Sequence, residues 1–441
     1  MTDVLLSIGG SDSSGGAGIQ ADVKTFSVLG AHGVSVVTTV TAQNTMGVRS
    51  IFGLGREAVS AQLDAILEDF SIGYAKTGML HSADIVSLVA DRIEDAKIKL
   101  VLDPVMEAEA GGRLLDKEAV EVLRRRLVPL ARVVTPNIFE AEALSEVPVT
   151  DEESAEKAAN AILRLGAEAV IVTGGHLEGP DILMEGNRVR LIGGERVSGG
   201  GHGVGCTYSA AITAFLARGL SLGEAASRAR EFAAASISRS HRVGRGASPV
   251  NQAGRLVEDA ERFFVLTEVE RAVVSLMEDS SLRILIPEVG SNVGMAISAA
   301  TGSRDVAAVE GRLVRAGQKV HRSGCVRFGA SDHVARIILA AMSFDSKIRA
   351  AMNIRFDGAV LEVCEDRGLK VASFDRMEEP TGADTMSWGT RQAIREYGSV
   401  PEVIWDAGGV GKEPMIRLLG VTAGEVSTLA IRISRTLDGN L

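Results

Sequence analysis

The amino-acid sequence predicts an α/β protein of two domains, each built on a sheet covered by helices. Short apolar runs alternate with segments of helical periodicity from residue 4 to about residue 241, and the alternation starts again after about residue 265. Such alternation is typical of a doubly wound, mostly parallel sheet. The glycine-rich stretch 198–209 directly precedes a helical pattern at 210–217 and is the strongest single feature of the chain.

The first half opens with an apolar strand at 4–8, a glycine-rich loop at 9–18 and a helix at 19–29, which together begin a β-α-β unit. The loop lacks the Gly-Lys-Ser/Thr ending of a P-loop. A capping box at 150–153 is expected to open a helix. Further strands are predicted at 34–40, 74–77, 100–103, 132–135 and 169–173, and helices at 57–70, 155–163 and 221–241.

The second half repeats the pattern after a helix expected at about 251–264. We predict helices at 268–277, 331–342 and 385–397, and strands at 283–286, 370–374 and 403–405. The restart places the domain boundary between about residues 258 and 265. The predicted domains are therefore 1–258 and 265–441.

Composition narrows the classes of function. The chain has 441 residues and a formal net charge of −10, which argues against sequence-independent nucleic-acid binding. Its three cysteines, Cys206, Cys325 and Cys364, have no metal-ligand spacing and indicate a reducing compartment. The sequence shows neither a basic leader nor an apolar run long enough to cross a bilayer. We expect a cytoplasmic protein without nucleic-acid or membrane partners.

The glycine-rich stretch predicts an anion site. Glycines are unfavourable inside helices, so the stretch is expected to be a loop that leads into a helix N-terminus. The N–H groups of Gly203, Val204, Gly205 and Cys206 would then point at one spot, supported by the helix dipole. A transferring phosphoryl group is the anion that we expect. The alternative is a plain turn between a strand and a helix.

Polar residues follow several predicted strands. In doubly wound sheets, ligands bind beyond the carboxyl ends of the strands. The side chains that the sequence places at these ends include Gln43, Met79, Asp103, Asn137 and Glu140. We therefore expect them to share one ligand site with the glycine-rich stretch.

Six motifs in the first half carry a family resemblance; they lie at 9–22, 42–45, 76–80, 103–106, 135–140 and 203–207. In these motifs the chain resembles the hydroxymethylpyrimidine kinases (ThiD) of the ribokinase-like superfamily. The resemblance implies phosphorylation of 4-amino-5-hydroxymethyl-2-methylpyrimidine, and then of its monophosphate, with ATP and Mg²⁺. Kinases of this kind are commonly dimers, so a homodimer is expected.

The resemblance also assigns roles to kinase residues. Cys206 would activate the substrate hydroxyl, and its place at a helix N-terminus predicts a lowered pKa; the alternative is a small buried thiol. Asn137, Glu140 and Asp103 would hold Mg²⁺ and phosphate, with Glu140 and Asp103 acting on the metal through water. The alternative for Glu140 is a first-turn acid that favours the helix dipole.

The pyrimidine ring is expected to contact Asp22, Gln43 and Met79, again by resemblance. A carboxylate or amide would bind the ring nitrogens and the amine, and the thioether would cover the ring face. One position departs from the family pattern, because Thr173 stands where many relatives have lysine. That departure leaves the strength of nucleotide binding open.

Segments of the second half resemble ThiN thiamine-phosphate synthases; they lie at 286–292, 309–315, 327–336, 351–354, 371–376 and 406–414. The resemblance implies a three-layer α/β/α domain, similar to class II aldolases. It also implies condensation of the pyrimidine diphosphate with thiazole phosphate, which releases pyrophosphate. The alternative is a domain that only binds thiamine phosphate, next to an active kinase. A kinase for pyridoxal is a further alternative for the first half.

The second site is expected around a helix N-terminus, with Ser331 as N-cap and His333 in the first turn. Arg312 and His333 are the predicted catalytic residues. Substrate contacts are expected from Asn292, Ser331, Arg376 and Lys412, the two cations forming part of a phosphate cradle. For each basic residue the alternative is a solvated surface position. The segment 408–412 imitates a P-loop but lacks its first glycine and its Ser/Thr.

Overall fold

The computed structural model describes residues 3–439 apart from 107–114, 116, 175–178, 195–196, 198–200, 381–383 and 410. The chain divides into two compact units, Met1–Val257 and Glu258–Leu441. In the part that the structure describes, every helix is too short or too polar to span a bilayer.

The first unit alternates strands and helices along the chain. Its strands are β1 Val4–Asp12, β2 His32–Asn44, β3 Gly47–Gly53, β4 Tyr74–Thr77, β5 Lys99–Leu102, β6 Ala131–Val134, β7 Ala169–Val172, β8 Asp181–Glu185 and β9 Arg188–Ile192. Its helices are α1 Gly18–Val28, α2 Arg56–Asp69, α3 Ala83–Asp95, α4 Lys117–Val122, α5 Ile138–Ser145, α6 Glu152–Arg164, α7 Val204–Ala217 and α8 Leu222–Ser238.

Within the described residues these strands form one nine-stranded sheet in the order β3-β2-β1-β4-β5-β6-β7-β8-β9. The central part of the sheet is parallel and consists of β2, β1, β4, β5, β6 and β7. Strands β3, β8 and β9 are antiparallel additions at the two edges. Apolar residues of α2 to α6 cover one face, and those of α1, α7 and α8 cover the other. The chain order reverses at β1, whose neighbours are β2 and β4, and this switch point is where such folds bind ligands.

The second unit has a mixed sheet. The helix α9 Gly254–Glu278 includes the boundary between the two units. The strands that follow are β10 Val293–Ala296, β11 Val306–Val309, β12 Leu313–Ala316, β13 Lys319–Arg322, β14 Val326–Phe328, β15 Ala350–Arg355, β16 Val371–Ser373, β17 Val403–Asp406 and β18 Met415–Gly420. The helices are α10 Asp332–Met342, α11 Gly358–Asp366, α12 Thr385–Tyr397 and α13 Ala423–Asp438.

Seven of these described strands form a sheet in the order β14-β11-β10-β15-β18-β17-β16, and β12 pairs with β13 as a separate hairpin. Apolar residues of α9, α11 and α13 pack on one face of the sheet, and those of α10 and α12 pack on the other. This arrangement is the predicted three-layer α/β/α sandwich. The first unit likewise has the predicted doubly wound architecture.

Three local predictions are wrong. The segment 283–286 lies in a 3₁₀ turn, Ser280–Leu285, because a short apolar run does not by itself distinguish a strand from a buried turn. The helices expected at 251–264 and 268–277 are one continuous helix, α9. The capping box at the start of α6 pairs Asp151 with Ser154, one residue later than predicted at each position.

The start of α7 provides a test of the glycine-rich loop. Gly203 has a φ of +89°, and a Cβ there would lie 1.9 Å from the carbonyl oxygen of Gly16, whereas a Cβ on Gly205 would meet nothing within 4 Å. We expect Gly203→Ala to lower the free energy of unfolding by at least about 1–2 kcal/mol, the usual cost of left-handed backbone without glycine. Gly205→Ala, at an interior helix position, should be neutral or stabilising.

Thermal melting of the two variants beside the wild type checks this expectation. Equal melting temperatures for Gly203→Ala and Gly205→Ala would contradict the tight approach of the two loops.

Candidate active sites

The glycine-rich stretch does lead into a helix N-terminus, as predicted, but α7 begins at Val204, so residues 204–209 are helical and not part of the loop. Gly203 is the N-cap of α7, and the Val204 N–H donates to the carbonyl of Gly201 at 3.3 Å. Within the described residues, the N–H groups of Gly203, Gly205 and Cys206 have no main-chain acceptor. The prediction for Val204 is therefore wrong, because its N–H is already used, while three amides are available to an anion.

A second helix N-terminus meets the first at Cys206. The Gly18 N–H, in the first turn of α1, donates to the sulfur of Cys206. The positive ends of two helix dipoles therefore lie at this residue. Burial nevertheless raises the pKa of the Cys206 thiol to about 12, and the ammonium of Lys76 only partly opposes that effect. The predicted lowering of the pKa is wrong, and the thiol is neutral at physiological pH.

A buried ion cluster lies beneath this point. Lys76 is fully buried, with Nζ 2.7 Å from Oδ1 of Asp22 and 3.4 Å from Oδ2 of Asp103. Burial alone would lower the pKa of Lys76, but Asp22, Cys206 and Asp103 raise it, so the side chain stays protonated. Sequence analysis missed Lys76 as a site residue, although it begins one of the family motifs.

Asp22 belongs to this cluster rather than to a ring pocket. Ser7 Oγ donates to Oδ2 of Asp22 at 2.6 Å, Lys76 binds Oδ1, and the residue is only 1% exposed. Both carboxylate oxygens are used, and a ligand has no access to them. The predicted contact between Asp22 and the pyrimidine ring is therefore wrong.

Asp103 connects the cluster to α7. Ser209 Oγ lies 2.9 Å from Oδ2 of Asp103 and 2.9 Å from the carbonyl oxygen of Gly205. The ammonium of Lys76 next to the same oxygen disfavours direct coordination of a second cation. Asp103 thus orients the start of α7 through Ser209. The surroundings of Asp103 do not favour a direct bond to a metal ion.

Asn137 and Glu140 form the capping box of α5. The Glu140 N–H donates to Oδ1 of Asn137 at 3.0 Å, and the Asn137 N–H donates to Oε2 of Glu140 at 2.9 Å. Both residues therefore cap α5, and Glu140 is also the first-turn acid that its alternative interpretation stated. The described residues contain no group of three or more metal-ligating side chains. Mg²⁺ commonly takes one or two carboxylates and completes its shell with phosphates and water, and Glu140 suits such a site.

The ring-binding candidates differ in their surroundings. Met79 is 7% exposed and lies against Gly10, while Gln43 is half-buried at the end of β2. The Gln43 side-chain amide lies 3.1 Å from Nε2 of His202, which in turn lies 2.9 Å from Oδ2 of Asp12. Sequence analysis included neither His202 nor Asp12 among the site residues. Their positions inside the two glycine-rich loops were the available signal.

The region near the expected nucleotide site is described in part. The Thr173 N–H donates to the carbonyl of Pro136 at 2.9 Å. Residues 175–178, shortly after Thr173, and residues 198–200, at the start of the glycine-rich stretch, lie outside the described residues.

The second unit holds its own buried ion cluster at the end of β17. Asp406 is fully buried and accepts hydrogen bonds from Arg376, from the Gly408 N–H at 2.9 Å and from Arg417 at 2.8 Å. Arg417 is itself fully buried and lies over the ring of Phe374. Two guanidinium groups thus share one carboxylate. Sequence analysis included Arg376 but missed Asp406 and Arg417 as site residues.

His333 lies among these cations, in the first turn of α10. Burial, followed by Arg417, Arg312 and Arg376, lowers the pKa of His333 to about 4, so its imidazole is neutral at pH 7. Its Nε2 is buried and has no hydrogen-bond partner among the described residues. A buried polar atom without a partner is costly, and an incoming ligand would satisfy it.

Three other predicted residues of the second site differ in their contacts. Ser331 caps α10 by accepting from the Val334 N–H at 3.5 Å. The guanidinium of Arg312 has no hydrogen-bond partner within the described part of the chain, and Ser323 holds its main chain. Lys412 is half exposed and lies 3.6 Å from the carboxylate of Glu379. Lys412 therefore sits at the surface, as its alternative interpretation stated.

Asn292 does not face a ligand. Its Nδ2 donates to the carbonyls of Val309 at 2.8 Å and Gly311 at 3.1 Å, and its Oδ1 accepts from the Val309 N–H at 3.1 Å. The predicted substrate contact is wrong, because the whole amide is used to hold the segment that precedes Arg312. The P-loop imitation at 408–412, whose residue 410 lies outside the described residues, joins the antiparallel strands β17 and β18. It therefore lacks the strand–loop–helix context of a P-loop.

Comparisons with known proteins agree with both halves of this description. The phosphomethylpyrimidine kinase family profile matches residues 12–251, and the thiamine-phosphate synthase ThiN profile matches residues 268–432. The bifunctional thiamine biosynthesis protein ThiDN of Methanocaldococcus jannaschii is 36% identical over 429 residues, which cover 96% of this chain and 96% of that protein. The chain belongs to this bifunctional family.

Relatives of the kinase unit alone are also similar. The hydroxymethylpyrimidine/phosphomethylpyrimidine kinase of Rhizobium meliloti is 45% identical over 266 residues, covering 59% of this chain and 100% of that protein. The solved ADP complex of Bacillus subtilis pyridoxal kinase matches with a TM-score of 0.55 and 36% identity over 58% of this chain and 100% of that chain. The predicted fold class and both family resemblances are confirmed.

The ion cluster of the kinase unit gives a stability prediction. Lys76→Met would leave two carboxylates without their cation, and breaking a buried pair typically costs about 3–5 kcal/mol. The loss should shrink as the pH falls from 8 to 5, because burial raises the pKa of Asp22 and removing the Lys76 ammonium raises it further, so that protonation of Asp22 relieves the repulsion. Chemical denaturation across this pH range measures the effect.

Lys157→Met is the matched control, because Lys157 is exposed and pairs with the exposed Glu153. A Lys76→Met variant as stable as Lys157→Met at every pH would contradict the buried cluster.

The raised pKa of Cys206 gives a chemical prediction. Alkylating reagents attack the thiolate, so the rate of iodoacetamide labelling at Cys206 should rise about tenfold per pH unit between pH 7 and 9. Peptide mapping by mass spectrometry separates this label from that on the exposed Cys325, which should react first. Fast labelling of Cys206 with a plateau below pH 8 would restore the lowered pKa that the sequence predicted.

Proposed function

We propose that this chain makes thiamine phosphate from its pyrimidine and thiazole precursors. The first unit phosphorylates hydroxymethylpyrimidine and then its monophosphate with ATP. The second unit joins the resulting diphosphate to thiazole phosphate and releases pyrophosphate. The observation that carries the kinase assignment is the meeting of two helix N-termini at Cys206, at the switch point of the sheet. The kinase family match to residues 12–251 supports it.

In the kinase reaction, the substrate oxygen attacks the γ-phosphorus of ATP, the bond from that phosphorus to the β-phosphate oxygen breaks, and ADP leaves. Catalysis of such a loose transition state is mainly positioning and charge stabilisation. The N–H groups of Gly203, Gly205 and Cys206 would bind the transferring phosphoryl group. The neutral thiol of Cys206 would orient the substrate oxygen, and the proton of the hydroxyl would be lost to water.

ATP and Mg²⁺ would bind on the same side of the sheet as the pyrimidine substrate. ATP use is supported by the similarity to a pyridoxal kinase solved with ADP. Glu140 would hold Mg²⁺ through water, and the cation would supply positive charge that offsets the charge of the phosphates. Because Asp103 has Lys76 as its neighbour, its part in metal binding would be at most indirect.

In the synthase reaction, the thiazole nitrogen bonds to the methylene carbon of the pyrimidine, and the carbon–oxygen bond to pyrophosphate breaks. The task of the protein is to stabilise negative charge on the leaving group. Arg312 and Arg376 would bind the diphosphate, and neutral His333 would donate a hydrogen bond to it. No proton has to be removed from either substrate, so a histidine with a low pKa suits this site.

Two alternative functions can be distinguished by experiment. Similarity to the ThiDN protein over 96% of this chain favours a catalytic second unit over one that only senses thiamine phosphate. Pyridoxal is the second candidate substrate of the kinase unit, because the pyridoxal kinase of Bacillus subtilis shares its fold at 36% identity. Competition between hydroxymethylpyrimidine and pyridoxal distinguishes the two kinase substrates. A homodimer and a cytoplasmic location stay predictions.

Product analysis of the full chain tests the proposed function. With ATP, Mg²⁺, hydroxymethylpyrimidine and thiazole phosphate, the wild type should form thiamine phosphate. Cys206→Ala should slow pyrimidine phosphorylation about 10- to 100-fold through loss of positioning, but leave synthesis from supplied pyrimidine diphosphate unchanged. His333→Ala should have the opposite pattern.

The matched controls are Cys325→Ala and His321→Ala, since both residues are exposed and lie outside the proposed sites. If the wild type binds thiamine phosphate but forms none from supplied pyrimidine diphosphate and thiazole phosphate, the second unit is a sensor. If Cys206→Ala phosphorylates the pyrimidine as fast as Cys325→Ala, the kinase site has been placed wrongly.

A further inference from the structure

His202 lies at the junction of several segments that border the kinase site. It immediately precedes Gly203, the N-cap of α7, and is 9% exposed. Its Nε2 is 2.9 Å from Oδ2 of Asp12, the last residue of β1, and 3.1 Å from the side-chain amide of Gln43 at the end of β2. One ring nitrogen thus touches both the first glycine-rich loop and a candidate ring-binding residue.

Asp12 is a fixed acceptor for this contact. Its carboxylate also accepts from the N–H groups of Ser14 at 2.8 Å, Gly16 at 3.0 Å and Ala17 at 2.8 Å. Burial alone would raise the pKa of Asp12, but the hydrogen bonds from His202, Ser14 and Ala17 lower it to about 2. The carboxylate is therefore ionised and only accepts, so Nε2 of His202 carries a proton.

The ring has little room to move. A Cβ on Gly16 would lie 2.2 Å from the His202 ring, so only glycine permits this approach. On its other side, the main chain of His202 forms a parallel bridge with Pro249, and its carbonyl accepts from the Val250 N–H at 3.1 Å.

The segment that contacts His202 also holds the hairpin that carries Gln43. The Ala247 N–H donates to the carbonyl of Thr45 at 2.9 Å, and the Gly246 N–H donates to its hydroxyl at 3.1 Å. His202 therefore links three segments: it holds the phosphoryl-binding turn and the end of β1 directly, and the Gln43 hairpin through residues 246–250.

We propose that His202 is a positioning residue that holds Gln43 and the N–H groups of the first turn of α7 in one arrangement for phosphoryl transfer. This inference rests on the proposed kinase function. Since His202 would act through other residues, its loss should affect pyrimidine binding through Gln43 and turnover through the displaced N–H groups. The KM for ATP should change little.

The test uses the chemistry of the N–H donor. In His202→Gln the side-chain amide reaches the position of Nε2 and keeps a donor for Asp12, whereas His202→Asn is too short to do so. With the full chain, His202→Asn should lower kcat/KM for hydroxymethylpyrimidine by at least about tenfold and raise its KM. His202→Gln should stay within about threefold of the wild type. His241→Asn, at an exposed position of the same unit, is the matched control.

Two further measurements distinguish positioning from general damage to the fold. Synthesis of thiamine phosphate from supplied pyrimidine diphosphate, by the same preparations, should be unaffected in every variant. Asp12→Asn combined with His202→Asn should be less harmful than the product of the two single effects, because both remove one shared contact.

Equal impairment of His202→Gln and His202→Asn would overturn the inference, as would wild-type kinetics of His202→Asn or fully multiplicative effects in the double variant. A wild-type chain that does not phosphorylate the pyrimidine would overturn the proposed function and this inference with it. An active wild type with insensitive His202 variants would overturn the inference alone.

Discussion

The contact on which the kinase site depends is the burial of the Lys76 ammonium between two carboxylates. An ammonium taken out of water costs several kcal/mol, and only close opposite charges offset that cost. Asp22 and Asp103 provide them at 2.7 and 3.4 Å. Because these residues come from α1 and from the end of β5, the cluster sets the position of both elements around β4. Through Ser209 it also sets the first turn of α7, which carries the amides of the site.

The second unit also has a buried ion cluster, but there one carboxylate is shared by two cations. Asp406 holds Arg376 and Arg417 where the kinase cluster has one ammonium and two carboxylates. The two sites consequently attract anions by different means. In the kinase unit the buried carboxylates outnumber the ammonium, so the phosphoryl group would be bound by free N–H groups at helix N-termini. In the second unit guanidinium groups outnumber carboxylates, and burial together with the same cations lowers the pKa of His333 and keeps it neutral.

Several site residues could be predicted because their signal is local. A run of glycines before a helical pattern predicted the turn at Gly203, and strand ends predicted where Met79 and Glu140 would lie. The roles of Asp22 and Asn292 could not be predicted in the same way. Asp22 binds Lys76, which is 54 residues away in sequence, and Asn292 holds a strand 17 residues away. Nothing next to either residue indicates that its polar atoms are already used.

By itself, then, the sequence determined the two α/β units, their families and the order of the motifs, because periodicity, glycine placement and motif spacing are properties of neighbouring residues. The tertiary structure alone decided which polar groups stay available. It pairs His202 with Asp12 across 190 residues, and it partly buries Cys206, whose pKa is raised by that desolvation where the helix N-terminus alone predicts a lowered one. Burial and long-range pairing control the free energy of each charged group, and both exist only after the chain has folded.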